Sequence, residues 1–282
     1  SEWVTTSFRW SAVESTEDSY DWSSFDTKAQ NAQAAGMDVF VLFSGNPSWA
    51  AALPGGPVTD TQDLVDFAAD MAERYDCDGT EDAPGSPCVH TWSFYAEPDN
   101  GSLEYARRGK GYWGHDGPGY AQMLSRVSPA IHGANPKARV LIGGLAYDYF
   151  EEENENAPFV RSFLTDTLTA LNRYPGGAEA YLDAMAFHYY PINGDWETIR
   201  EKTAEIKGIM TRHGVGDLPL ICPEMGYWSS PEHGSSEERQ ARRLVQMYVR
   251  GLSMDVQQLS WFKVFDDVVP GSSEDLYPGE TP

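Results

Sequence analysis

Two glutamates, Glu97 and Glu224, stand at the ends of apolar runs of the kind that form buried strands. Glu97 follows Trp92-Ser93-Phe94-Tyr95-Ala96, and Glu224 follows Leu220-Ile221-Cys222-Pro223. A carboxylate in such a place is costly to remove from water, so it indicates a specific need for the charge. Either glutamate alone is explained equally well by a helix cap or a salt bridge, but two in matching contexts favour a shared chemical role.

Paired carboxyl groups about 5–5.5 Å apart are the machinery of glycoside hydrolases that retain the anomeric configuration. We therefore predict that one of Glu97 and Glu224 is a nucleophile and the other a general acid/base. Burial and the negative charge of its partner are expected to raise the pKa of the acid, so that it keeps its proton near neutral pH. The pair predicts a retaining O-glycoside hydrolase.

The elements that would position these acids alternate along the chain between short apolar runs and amphipathic segments. The predicted strands cover residues 3–10, 40–43, 89–95, 139–145, 184–189, 218–222 and 259–265. The clearest predicted helices cover residues 61–75, 120–134 and 237–253. Strands that alternate with helices are typical of a parallel sheet built from βαβ units.

The fold class that these elements predict is α/β, a (β/α)8 TIM-type barrel. Seven predicted strands are one fewer than such a barrel needs, so we expect its first strand and helix to lie outside the printed sequence. The chain has 282 residues, close to the length of about 250 typical of one barrel. No repeat or linker divides it, so residues 1–282 are expected to form a single catalytic domain. Glu97 and Glu224 would then end the fourth and seventh strands and face each other across the mouth.

A series of short motifs runs through nearly the whole chain in a fixed order. These motifs are Phe8-Arg9-Trp10-Ser11, Tyr20-Asp21-Trp22, Asn46-Pro47-Ser48-Trp49, Tyr95-Ala96-Glu97-Pro98, His188-Tyr189-Tyr190, Pro223-Glu224-Met225-Gly226 and Trp261. In order and spacing they resemble the clan A glycoside hydrolases, nearest to the family 39-like barrels. The resemblance implies that Glu97 is the general acid/base, that Glu224 is the nucleophile, and that the substrate is a β-linked glycoside or polysaccharide. It therefore also implies that the raised pKa is that of Glu97.

The resemblance also implies a set of substrate-binding residues. His188 and Tyr190 would hydrogen-bond the sugar or a catalytic carboxylate, and Trp261 would form the floor of the reactive subsite. Trp49 and Trp228 are further candidates for stacking on sugar rings, because flat amphipathic side chains suit that contact. Each of these aromatic residues has an alternative interpretation as core filling, and His188 as a satisfied structural residue.

Two positions depart from the family pattern. Ala96 stands where the family usually has an Asn that hydrogen-bonds the sugar 2-hydroxyl, and Thr5 stands where it usually has an Arg that steadies the nucleophile. Arg9 lies four residues beyond Thr5, and we include it among the substrate-binding candidates as a replacement. A contact with the 2-hydroxyl strengthens in the transition state, so its loss favours an alternative function, a non-catalytic carbohydrate-binding barrel.

The composition points to a carbohydrate partner. A net charge of −23 disfavours nucleic acid, anionic membranes and polyanionic substrates. No apolar run approaches the roughly 20 residues of a membrane span. Aromatic residues make up 13% of the chain, more than a core alone requires. Xylosides, glucans, mannans and galactans all remain possible substrates, and the oligomeric state stays open.

The three cysteines indicate where the protein is located and whether it binds a metal. Cys77 and Cys88 bracket a polar, turn-rich stretch, which favours a disulfide and an extracellular protein over two free thiols. The chain opens without a signal peptide, which we expect to lie outside the printed sequence. Cys222 is expected to be a small buried residue. No His joins the cysteines at metal-ligand spacing, so we expect neither a metal nor a cofactor.

Overall fold

The computed structural model describes residues 2–191, 194–231 and 234–263. Over these ranges the strands are β1 (Trp3–Arg9), β2 (Asp38–Ser44), β3 (Thr91–Phe94), β4 (Arg139–Ile142), β5 (Met185–Tyr189), β6 (Leu220–Met225) and β7 (Val256–Trp261). Each predicted strand is present. The last one begins earlier than predicted, and residues 264 and 265 of that prediction lie outside the described residues.

Helices separate the strands. They are α1 (Trp10–Val13), α2 (Ser23–Ala34), α3 (Thr61–Arg74), α4 (Leu103–Arg107), α5 (Gly117–Ala134), α6 (Phe163–Leu171), α7 (Ile199–Arg212) and α8 (Glu237–Ser253). The predicted helix that corresponds to α5 starts earlier than expected, because Asp116 caps it by accepting a hydrogen bond from the Gly119 N–H. Ser236 caps α8 in the same way.

All strand pairs are parallel and follow the order of the chain. One sheet has the order β1-β2-β3-β4 and the other has the order β5-β6-β7. Isolated parallel bridges between Leu141 and Ala184 and between Leu145 and Phe187 join the β4 region to β5. The predicted parallel α/β architecture is therefore confirmed. Within the described residues no ladder joins β1 to β7, so the barrel is not closed there.

The continuous apolar runs are explained by burial on both faces of the strands. Phe40 and Leu42 of β2 belong to a small cluster with Leu141, Ala184, Ala186 and Ile221 that fills the space enclosed by the strands. The alternate residues Val41 and Phe43 belong to the larger core between strands and helices. Because successive side chains point to opposite faces, a strand packed on both sides must be apolar throughout.

The predicted disulfide between Cys77 and Cys88 is present. It closes the loop between α3 and β3, which carries the turn-rich sequence described above. Cys222 is a buried free thiol in β6, as predicted. None of the helices within the described ranges has both the length and the apolar character required to cross a bilayer.

Replacing both Cys77 and Cys88 with Ser is expected to lower the free energy of unfolding by about 3 kcal/mol, because the open chain regains the entropy that closure of this short loop removes. Urea denaturation monitored by circular dichroism measures the change, and the wild type with a reducing agent serves as a matched control. An unchanged unfolding midpoint in the double variant would contradict a stabilising role for this bond.

Candidate active site

The ladder between β5 and β6 brings one pair of predicted site residues together. His188 of β5 is in register with Glu224 of β6, so the two side chains leave adjacent strands at the same level. Both residues are buried. The Tyr190 hydroxyl, one residue beyond β5, donates a hydrogen bond of 2.7 Å to Glu224 Oε1. Strand register thus places the predicted nucleophile beside its predicted hydrogen-bond donor.

Glu97 reaches the same place from a tight turn that follows β3. Tyr95 and Glu97 both have left-handed backbone angles, with φ of 62° and 52°. Such angles are unfavourable for residues with a Cβ and concentrate at functional sites. The turn is held from the β4 side, where the Glu97 N–H donates to the Gly144 carbonyl at 2.9 Å. The Asp99 carboxylate reinforces it by accepting hydrogen bonds from the Ala146 and Tyr147 N–H groups.

The carboxylates of Glu97 and Glu224 lie close to each other with His188 between them. His188 Nδ1 is 3.1 Å from Glu97 Oε1 and 4.0 Å from Glu224 Oε1. One ligand atom from each of the three side chains lies within 4.8 Å of the others. This close approach of the oxygens is compatible with the carboxyl separation of about 5–5.5 Å in retaining glycosidases.

Lys110 is a site residue that the sequence analysis missed. Its Nζ lies 3.2 Å from Glu97 Oε2. The segment that carries it, between α4 and α5, docks on the Glu97 turn through a hydrogen bond from the Gly111 N–H to the Ala96 carbonyl. A signal was present in the sequence, because Arg107-Arg108-Gly109-Lys110 is a basic run in a strongly acidic chain.

The expectation of a raised Glu97 pKa is wrong for this arrangement. Burial does raise the pKa of Glu97, but the positive charge of Lys110 and the hydrogen bond from His188 outweigh it and bring the pKa to about 2. The reason is that two basic side chains approach the carboxylate in space, although both are distant from it in sequence. The two basic side chains therefore favour the ionised form of Glu97.

His188 is fixed so that its Nδ1 faces the carboxylates. Within the described residues its buried Nε2 has no hydrogen-bond partner. It packs against Gly144, where an added Cβ would lie 2.1 Å from that nitrogen. Residue 144 must therefore be glycine for the ring to fit. Burial lowers the pKa of His188, but Glu224 and Glu97 outweigh it and raise the pKa overall. Lys202 donates to the His188 carbonyl at 3.2 Å and holds the strand end.

The predicted tryptophans lie in different surroundings. Trp261 ends β7 and is in register with Met225, the neighbour of Glu224. Trp49 donates from Nε1 to the Glu14 carbonyl and packs edge-on against a core tryptophan. Trp228 is stacked on Tyr227 with ring centroids 4.8 Å apart. Of the three, Trp261 is therefore tied by strand register to the neighbourhood of the carboxylates.

Thr5 and Arg9 occupy two separate places along β1. Thr5 donates from Oγ1 to the Pro223 carbonyl at 3.0 Å and so supports the backbone just before Glu224. Arg9 is exposed at the end of β1 and lines a cavity with Arg107 and Arg108. Over the residues that the structure describes, neither a hydrogen bond nor an ion pair joins Arg9 to Glu224.

Among the residues whose structure is described, three groups of side chains have the composition of metal ligands. Glu97, His188 and Glu224 form one; Cys77, Cys88 and His90 form another; and Asp76, Asp78 and Asp82 form the third. In the first group Lys110 already holds a carboxylate oxygen of Glu97. In the second group the two sulfurs are joined in the disulfide, which removes the thiolates that bind metals.

Comparisons with solved structures find the same architecture in several carbohydrate-active enzymes. A glucosidase from Croceicoccus marinus superposes with a TM-score of 0.66 at 17% identity, over 92% of this chain and 52% of that one. A monomeric β-xylosidase from Caulobacter crescentus has a TM-score of 0.66 at 14% identity, over 92% and 53%. A family 39 glycoside hydrolase from the gut symbiont Bacteroides cellulosilyticus has a TM-score of 0.59 at 16% identity, over 92% and 50%.

The chain shares its parallel α/β fold with these TIM-barrel glycosidases. At these identities the likeness shows the fold alone, and the chain spans about half the length of these solved structures. No protein-family model and no curated protein sequence matches the chain. Activity must therefore be argued from the residues of the site.

Replacing Lys110 with Gln is expected to raise the pKa of Glu97 from its value of about 2, because burial then acts against a weaker opposing charge. Carbon-13 NMR titration of labelled glutamate carboxyl groups measures this pKa, with Glu97→Gln to assign the signal. Lys137→Gln removes an exposed lysine from another part of the chain and is the matched control. The same Glu97 pKa in wild type and Lys110→Gln would mean that Lys110 does not set it.

Proposed function

We propose that the chain is a retaining glycoside hydrolase that acts on a β-linked glycoside or polysaccharide, and that residues 1–282 belong to one catalytic domain. The observation that carries the proposal is the approach of Glu97 and Glu224, with carboxylate oxygens within 4.8 Å of each other at the carboxyl ends of parallel strands. In (β/α)8 barrels this end of the strands is where catalytic side chains lie.

In the proposed mechanism Glu224 Oε attacks the anomeric carbon and forms a covalent glycosyl-enzyme, while protonated Glu97 donates its proton to the departing oxygen. Glu97 then takes a proton from water, whose oxygen attacks the anomeric carbon and releases Glu224. Tyr190 donates to Glu224 Oε1 and so orients the attacking carboxylate. His188, Trp261, Trp49, Trp228 and Arg9 remain the candidates for binding the sugar chain.

The contact between Lys110 and Glu97 sets a condition on this mechanism. A general acid must carry its proton when the bond breaks, whereas Lys110 and His188 lower the pKa of Glu97. The proposed mechanism therefore requires these two contacts to weaken in the substrate complex, so that burial raises the pKa of Glu97.

A second candidate function is a non-catalytic carbohydrate-binding barrel. Two observations favour it: Ala96 replaces an expected sugar contact, and the ion pair with Lys110 favours the ionised form of Glu97, which cannot donate a proton. The Cys77–Cys88 disulfide is compatible with the extracellular location that we propose for either function.

Activity on paired substrates tests the two glutamates separately. Glu224→Gln is expected to abolish hydrolysis of every β-glycoside, since no covalent intermediate can form. Glu97→Gln is expected to lower kcat/KM by about 10²–10⁴-fold on glycosides with poor leaving groups. The same variant should keep far more activity on dinitrophenyl glycosides, whose leaving group needs no proton. Proton NMR of the first product formed reports whether the configuration is retained.

Several outcomes would overturn the proposal. Equal activity of Glu224→Gln and wild type would exclude Glu224 as the nucleophile, and a product of inverted configuration would exclude double displacement. Sugar binding without hydrolysis of any β-glycoside by the wild type would establish the non-catalytic alternative. Glu205→Gln, at an exposed acid outside the site, serves as the control for the charge change.

A further inference from the structure

A basic cavity adjoins the candidate active site. Its volume is about 290 Å³, and three arginines line it: Arg9 from the end of β1, and Arg107 and Arg108 from the end of α4. Among the described residues that line it, none is acidic. The chain as a whole carries 43 acidic and only 20 basic residues, so three converging arginines oppose the overall charge.

The cavity and the carboxylate pair share a wall. Gly109 lines the cavity, and the next residue, Lys110, contacts Glu97. Asn46 also lines the cavity, and its Oδ1 accepts a hydrogen bond of 2.8 Å from Tyr95, which belongs to the Glu97 turn. If one sugar unit of a glycan is bound at the carboxylates, the next unit or a side branch of the same glycan would lie at this cavity.

The backbone around Arg9 is shaped to hold its side chain at this cavity. Arg9 pairs in register with Ser44 of β2, and the following residue, Gly45, lies beside the arginine stem. A Cβ at position 45 would lie 3.2 Å from Arg9 Cγ, and the φ of Gly45 is +70°. Glycine at this position therefore both makes the turn and leaves room for Arg9.

The guanidinium groups are available for a ligand. Over the described part of the chain, Arg9 and Arg107 form no ion pair with a carboxylate, and Arg108 pairs only with the exposed Glu104. Guanidinium forks match the planar geometry of a carboxylate and also bind sulfate esters. Ser11 and Ser44 line the same cavity and add hydroxyl groups suited to sugar hydroxyls.

We propose that this cavity is a subsite for an anionic substituent, a carboxylate or a sulfate ester, on the glycan that the active site binds. The proposal rests on the proposed function and names its substrate class more closely. The substituent would be an isolated charge on an otherwise neutral glycan, because the net negative charge of the protein repels a polyanion. Screening over about 8 Å at physiological salt lets the local arginines dominate at short range.

Binding of matched oligosaccharides by calorimetry tests the proposal. The probes are oligosaccharides of xylan, glucan, mannan and galactan, each in a neutral form, with a single carboxylate and with a single sulfate ester. The protein carries Glu224→Gln so that no probe is cleaved. On at least one backbone an anionic form is expected to bind at least tenfold more tightly than its neutral form. Comparing carboxylate with sulfate identifies the substituent.

Arginine variants link that preference to the cavity. Arg9→Gln and Arg107→Gln should each remove most of the anionic preference, measured as the ratio of the affinities for the anionic and neutral forms. Arg107→Gln should leave binding of the neutral form unchanged. Arg9→Lys keeps the positive charge but loses the paired, planar donors of the guanidinium. We therefore expect a preference for the anionic form between those of the wild type and Arg9→Gln. Arg173→Gln, at an exposed arginine just beyond α6, is the matched control. Raising the salt concentration should weaken the anionic forms only.

The outcomes separate this proposal from the proposed function. Equal binding of neutral and anionic forms, no binding of any probe, or an unchanged preference in both arginine variants would each overturn the subsite. Hydrolysis of neutral glycosides by the wild type in that case would leave the proposed function intact. Arginine-dependent binding of an anionic form without any hydrolysis would instead sustain the subsite and reject catalysis.

Discussion

Two buried carboxylates with oxygens within 4.8 Å of each other repel one another, and the rest of the site is arranged around that repulsion. His188 Nδ1 faces both of them, Lys110 approaches the outer oxygen of Glu97, and Tyr190 donates to Glu224. The pair is therefore compensated by two basic groups and one hydroxyl. Without them, one carboxylate would have to take up a proton or move away.

This arrangement depends on rigid elements that surround it. The register between β5 and β6 sets His188 beside Glu224, and Gly144 leaves the space that the imidazole occupies. The turn that carries Glu97 is held in a left-handed conformation by hydrogen bonds from the β4 side. An unfavourable backbone persists only where its surroundings over-determine it, and here they do so at the predicted acid.

The basic side chains beside this site are opposite in sign to the net charge of the chain. The chain has a net charge of −23, yet Lys110 and three arginines gather at the edge of the barrel mouth. One segment, residues 107–111, supplies most of these basic groups and docks on the Glu97 turn. The same segment thereby lowers the pKa of the proposed acid and forms a wall of the adjoining cavity.

The sequence by itself determined the strand order, the parallel α/β class, the Cys77–Cys88 pairing and the strand-end positions of Glu97 and Glu224. These features follow from local patterns. A strand that is buried on both faces must be apolar along its length, and two cysteines that flank a short turn-rich stretch can be joined to close it as a loop. Only the tertiary structure decided that Lys110 pairs with Glu97 and that the pKa of Glu97 falls. A pKa depends on the balance of burial and charge in three dimensions, and the side chains that set it here lie far apart along the chain.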